Sequence, residues 1–186
     1  NGGLKPNSMG GLSGKKGNLL EGGIRVPAIL EWPTKIPEPR TSSAPCNTSD
    51  FYPTLLELAG VSLPKGQPPL DGISLVPLIE GKTEIRKKAM GFWDFPAPGR
   101  SRRARAMLEA LRKEQQKGEQ KPALKEGHVE KQYSTKSFPG PAAWIDGDWK
   151  LLRGKGAPKL FNLAKDFAEK NDIAGKHPEK VAVMQK

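Results

Sequence analysis

The side chains in this sequence best suited to chemistry are cationic. Lys15 and Lys16 lie in a stretch that carries eight glycines in its first 23 residues: Gly2, Gly3, Gly10, Gly11, Gly14, Gly17, Gly22 and Gly23. Glycine loses the most backbone freedom on ordering, so this stretch reads as a shaped loop rather than a regular helix or long strand. An ammonium on such a loop is a compact point charge that can sit against an anionic oxygen, although the usual fate of a lysine is a solvated surface position. A second cationic group, Arg102, Arg103 and Arg105, lies far along the chain. Thiol and imidazole groups are scarce. Cys46 is the single cysteine, which rules out an intrachain disulfide and a cysteine-based zinc cluster. The two histidines, His128 and His177, stand apart and suit surface roles. Asn47-Thr48-Ser49 fits a glycosylation acceptor string, and it also stands where a helix cap is expected.

Composition narrows the partners. Lys and Arg number 31 against 20 Asp and Glu, a net charge of +11 with a pI near 9.8. That balance suits an anionic partner such as nucleic acid, anionic lipid or a sulfated or phosphorylated substrate. A length of 186 residues allows one ordinary domain, or a domain piece and a small second one. Hydrophobic residues make up 35% and the mean hydropathy is −0.60, lean for one compact core. Gly 21 and Pro 18 point to many turns and short elements. No apolar run approaches the roughly 18 to 20 residues of a membrane span. No signal-peptide pattern follows Asn1.

The elements that must position these groups follow from local pattern. Val26–Trp32 is short, apolar and closed by Pro33, which predicts a buried strand. Thr34–Ala44 reads as a surface connection. A helix starts near Ser49 or Asp50, with Pro53 in its first turn, an apolar face of Leu55, Leu56, Leu58 and Ala59, and Gly60 as its stop. Ser74–Glu80 reads as a short helix ended by Gly81, and the shift at Lys82–Lys88 marks a candidate boundary. Ala89–Phe95 reads as a strand. Residues 97–136 hold 11 basic and 5 acidic residues, with Ala104, Met107, Leu108 and Leu111 at helical spacing after Ser101. This predicts a basic amphipathic helix and a polar loop. Ala142–Asp146 and Asp148–Arg153 form a hairpin through Asp146-Gly147, Lys159–Leu163 a third strand, and Pro178–Met184 a terminal helix.

Four ordered segments resemble the formylglycine-dependent sulfatases of the alkaline phosphatase superfamily. Lys16-Gly17-Asn18-Leu19-Leu20-Glu21-Gly22-Gly23-Ile24-Arg25-Val26-Pro27 is similar to the family's K-G-x-x-x-E-G-G-x-R-x-P stretch. Thr48-Ser-Asp-Phe-Tyr-Pro-Thr-Leu-Leu-Glu-Leu-Ala-Gly60 and Leu70-Asp-Gly-Ile-Ser-Leu-Val-Pro-Leu78 resemble its D-x-x-P-T-L-L-x-L-A-G helix and D-G-x-S-L-x-P-L turn. Trp144–Leu152 and Leu160–Leu163 look like its closing hairpin and strand. The resemblance implies an α/β fold class: residues 1–86 as the end of a large catalytic α/β domain, and 87–186 as a small α+β domain with an antiparallel sheet, a terminal helix and the basic insert.

It also implies a sulfuric ester hydrolase, arylsulfatase-like or acting on a polysaccharide. Its nucleophile is a formylglycine made in a C/S-x-P-x-R stretch, which this sequence does not contain; Cys46 does not fit it. Lys16 is the residue implied to meet the substrate sulfate, because it rather than Lys15 has the right offset to Glu21-Gly22-Gly23. Asn1-Gly2-Gly3 resembles the end of the D-N-G calcium segment, which makes Asn1 a calcium ligand by resemblance, with the Asp ligands upstream. This chain by itself is then expected to be inactive. Glu21 and Arg25 suit a structural ion pair better than a substrate contact. Arg102, Arg103 and Arg105 read either as a solvated face or as a group that draws in a polyanionic substrate. The implied partner is a sulfated small molecule or polysaccharide, and the implied location periplasmic, secreted or lysosomal. A phosphodiesterase or phosphonate hydrolase of the same superfamily is the nearest alternative. A basic nucleic-acid-binding module is a more distant one, since few aromatics lie near the arginines to stack bases.

Overall fold

The computed structural model describes residues 9–94 and 140–185, with four further positions at 109, 112, 113 and 116. By contacts the chain divides into one compact unit of residues 1–94 with 141–186 and another of residues 95–140. In the second unit Glu109, Arg112, Lys113 and Gln116 are helical and exposed. Asn1, His128, the three arginines Arg102, Arg103 and Arg105, and the apolar positions expected of the basic helix lie outside the described residues.

The first unit is organised by a four-stranded antiparallel sheet in the order β1-β2-β3-β4: Met90–Trp93, Ala142–Asp146, Trp149–Arg153 and Lys159–Asn162. Asp146 pairs with Trp149, so the β2–β3 turn is the two residues Gly147 and Asp148. Gly147 has φ +55°, which a primed hairpin turn needs and which a residue with a Cβ adopts only under strain. Strand alternation then sorts the core onto two faces. On one, Leu151 and Leu160 pack with Met184 and Val181 of the terminal helix Pro178–Met184. On the other, Met90, Ile145, Phe161 and Leu163 pack with Ile24. This second face also carries Lys150, registered between Ile145 and Phe161.

Ahead of the sheet come three short helices, α1 (Glu21–Ile24), α2 (Phe51–Leu58) and α3 (Val76–Ile79), with a 3-10 turn at Thr48–Asp50 leading into α2. Gly60 (φ +66°) and Gly81 (φ +71°) follow α2 and α3 as left-handed stops. The residue that caps the start is Asn47, rather than Ser49 or Asp50. Its Oδ1 accepts the Ser49 N–H at 3.0 Å, and its own N–H donates to Asp50 Oδ2 at 2.8 Å. Two further expectations are corrected. Val26–Trp32 forms no strand, and Ile29 is 97% exposed. A strand exists only through a ladder partner, and none of the described strands pairs with it. On α2, Leu55 and Leu58 are exposed and Leu56 is half-buried, while the buried residue is Thr54, whose Oγ1 donates to Asp50 O and accepts the Leu75 N–H.

Candidate functional site

The glycine stretch builds a turn with a cation at its tip. Asn18 N–H donates to Lys15 O at 2.9 Å, and Gly17 has φ +90°. These are the marks of a type II turn, whose third position needs a positive φ. Lys16 therefore occupies the second position, at the apex, and is exposed. Asn18 Oδ1 accepts the Lys15 N–H at 3.1 Å and braces the same turn from inside. Among the described residues Lys16 makes no hydrogen bond or ion pair.

Directly after the turn, the chain winds into the single turn of α1, where an irregular loop was expected. Two glycines permit this. The Gly22 N–H reaches Ser13 O at 2.7 Å, and a Cβ on Gly22 would lie 2.5 Å from that oxygen. A Cβ on Gly23 would lie 2.1 Å from Asn18 O. Both approaches are closer than a side chain tolerates. The Gly-Gly pair is thus a packing requirement, which outweighs glycine's poor helix propensity over one turn.

Glu21, the first residue of α1, is buried against the sheet. Its Oε1 accepts from Lys150 Nζ at 2.9 Å, and its Oε2 pairs with Arg25 Nε at 2.8 Å. The ion pair expected of Glu21 and Arg25 is present, and Lys150 enlarges it. Glu169, in the loop after β4, completes the group. Its Oε2 accepts the Glu21 N–H at 2.5 Å, and its Oε1 lies 2.7 Å from Lys150 Nζ, outside hydrogen-bond geometry. The Lys150 side chain is 0% exposed. Burial pushes the Glu169 carboxyl above its ordinary range. The Glu21 N–H and Lys150 draw it back, and the charge of Glu21 adds to the rise.

A hollow of about 280 Å³ opens beside the loop, lined by Gly17, Asn18, Leu20, Asp94, Leu152 and Arg153 among others. Its wall is the Lys16 turn on one side and the end of β3 on the other. Asp94 N–H donates to Pro141 O at 2.9 Å. Cys46 is an exposed free thiol, far in kind from a catalytic nucleophile pocket. His177 rests edge-on against Trp149, with ring centroids 5.2 Å apart. Among the described residues no three His, Cys, Asp or Glu side chains converge as a cation site requires.

Sequence patterns singled out Lys16, Glu21 and Arg25, and the structure gathers the latter two with Lys150 and Glu169. Those last two were not anticipated. The signal for Lys150 was a lysine inside an inward-facing run of β3, visible only once the strand register is known. A family model described as N-sulphoglucosamine sulphohydrolase, C-terminal, matches residues 14–115, more than half of the chain. The chain belongs to the sulfatase family. It is 44% identical over 77 residues to the steryl-sulfatase of Homo sapiens, covering 41% of this chain and 13% of that one. It is 28% identical to arylsulfatase G of Rattus norvegicus over 184 residues, 99% of this chain and 31% of that one. This sulfatase chain therefore spans less than a third of the length of these relatives. A solved protein of a glycosaminoglycan-metabolism locus of Bacteroides thetaiotaomicron shares its fold, with TM-score 0.65, 20% identity, and coverage of 96% and 31%. A second, solved in complex with a neocarrahexaose, shares it with TM-score 0.64, 23% identity, and coverage of 93% and 30%.

Proposed function

We propose that this chain supplies the C-terminal part of a sulfuric ester hydrolase in which Lys16 holds the substrate sulfate. The observation that carries this reading is an ammonium with no partner among the described residues, at the apex of a glycine-braced turn whose Gly17 and Asn18 line a hollow of about 280 Å³. Sulfate ester hydrolysis places charge on non-bridging oxygens and on the leaving oxygen, and a fixed cation offsets it. Because the turn is pre-shaped, little reorganisation accompanies binding. The sulfatase relatives favour this reading over a phosphonate hydrolase or a nucleic-acid module.

In this reading residues 1–86 close the catalytic domain and residues 87–186 form the smaller C-terminal one. A formylglycine nucleophile and a calcium ion belong to the complete enzyme, where the ion would help neutralise the sulfate. Of this chain, Asn1 would join the calcium ligands, and Arg102, Arg103 and Arg105 would draw in a polyanionic substrate, consistent with the charge of +11. The substrate class is a sulfated small molecule or sulfated polysaccharide, met in a secreted, periplasmic or lysosomal setting.

The test is Lys16→Ala in the complete enzyme, with Lys15→Ala as the neighbouring control. Loss of one preorganised donor to a developing oxyanion costs about 10²–10³ in kcat. That loss is expected for Lys16→Ala alone. An equal effect of the two substitutions would overturn the assignment.

A further inference from the structure

We infer that Lys150 and Glu169 are positioning residues for Lys16, so that the C-terminal sheet sets the place of the cation on the glycine loop. The inference rests on the reading of Lys16 given above and extends it to residues far along the chain.

Lys150 sits at a strand position whose cross-strand partners are Ile145 and Phe161, both core residues. An apolar side chain would fill that place at less desolvation cost, since a buried ionic group often contributes no more stability than well-packed apolar residues. The ammonium is instead spent on two carboxylates, Glu21 at 2.9 Å and Glu169 at 2.7 Å. Glu169 has φ +54°, in the left-handed region that costs a residue with a Cβ. That conformation aims its second oxygen at the Glu21 N–H. Glu21 is therefore gripped by both its side chain and its backbone, from residues 129 and 148 positions away. Three distinct hold points on one residue exceed what simple charge neutralisation needs.

The grip is transmitted to Lys16 by a short and crowded path. Gly22 and Gly23 seat α1 directly against the carbonyls of Ser13 and Asn18, with no room for a methyl group. The turn at Lys15–Asn18 thus lies against the anchored residue rather than swinging from it. The same segment, from Gly17 to Leu20, forms a wall of the hollow. Removing the grip should shift the cation and the wall together.

The experiment has two arms. In the complete enzyme, Lys150→Met is expected to lower kcat by about a hundredfold, the size of a misplaced catalytic group. Lys150→Arg should restore part of it. The deciding measurement is the double variant Lys16→Ala with Lys150→Met. If Lys150 acts through Lys16, the double variant is no slower than Lys16→Ala alone. Losses that multiply would overturn the inference and leave Lys150 a stability residue. In the second arm, hydrogen exchange on the complete enzyme reads the Glu21, Gly22 and Gly23 amides. They should exchange faster in Lys150→Met and in Glu169→Gln, and unchanged in Arg86→Met, which breaks a different buried pair. Equal acceleration in all three would also overturn it. Glu169→Gln, which keeps the side-chain shape, serves in both arms where Lys150→Met does not fold. If Lys16→Ala proves inert while the exchange pattern holds, the reading of Lys16 fails and the anchoring of the loop stands.

Discussion

Two buried carboxylate anchors hold this chain together, and they are built in opposite ways. Asp50, at the start of α2, is completely satisfied. Arg86 forks onto it at 2.7 and 3.0 Å, and the N–H groups of Asn47 and Ile73 each donate at 2.8 Å. Burial alone would raise its carboxyl, but these donors together hold it below its ordinary range. Glu169 is just as enclosed, yet it shares one ammonium with Glu21 and has one backbone donor. Its carboxyl therefore rises. Burial is common to both sites, and the number of donors decides the sign. A planar guanidinium satisfies both oxygens of one carboxylate, whereas the lysine ammonium here is divided between two residues.

The sharpest way to break this comparison is to remove each cation. Arg86→Met leaves Asp50 buried without a counter-charge and should cost about 3–5 kcal/mol, read as a fall in the urea unfolding free energy. A small loss would mean that the backbone donors alone keep the charge, and the contrast between the anchors would then rest on them.

The pH response comes next in size. Asp50 has a depressed folded-state pKa, so its contribution is present above the ordinary carboxylate pKa and lost as pH falls through the depressed value. Glu169 has a raised one, so its contribution is full below the ordinary carboxylate pKa and lost as pH rises through the raised value. Melting temperatures across acidic to neutral pH should show this as opposite trends. Asp50→Asn should flatten the loss below the ordinary carboxylate pKa, and Glu169→Gln should flatten the loss that begins above it. Parallel changes in the two variants would contradict the opposite shifts.

The smallest effect belongs to the exposed segment after α1. Ile29→Ser should change the stability of this chain by no more than about 0.5 kcal/mol, because Ile29 is 97% exposed and packs against nothing described. A larger loss, seen in the same unfolding experiment, would reveal a contact for residues 26–32.

What was legible beforehand follows the range of the interactions. The helix at Pro178–Met184, the β2–β3 hairpin and the stops at Gly60 and Gly81 are written in neighbouring residues, and each appears where local pattern places it. The turn at Lys15–Asn18 was read only as part of a glycine-rich loop, because its type rests on the φ of Gly17 and on the Asn18 N–H to Lys15 O bond, which composition does not show. The segment Val26–Trp32 was misread because apolar, β-branched composition describes a strand only when an edge is available to pair with it.

The sequence by itself determined the family and the sheet's hairpin. Tertiary structure decided that the loop includes a helical turn, that Lys150 is a buried charge rather than a surface one, and that Glu169 meets Glu21. The physical reason is separation. Strand alternation assigns Lys150 to a face, but only a fold that brings residues 21, 150 and 169 together supplies the carboxylates that make its burial tolerable.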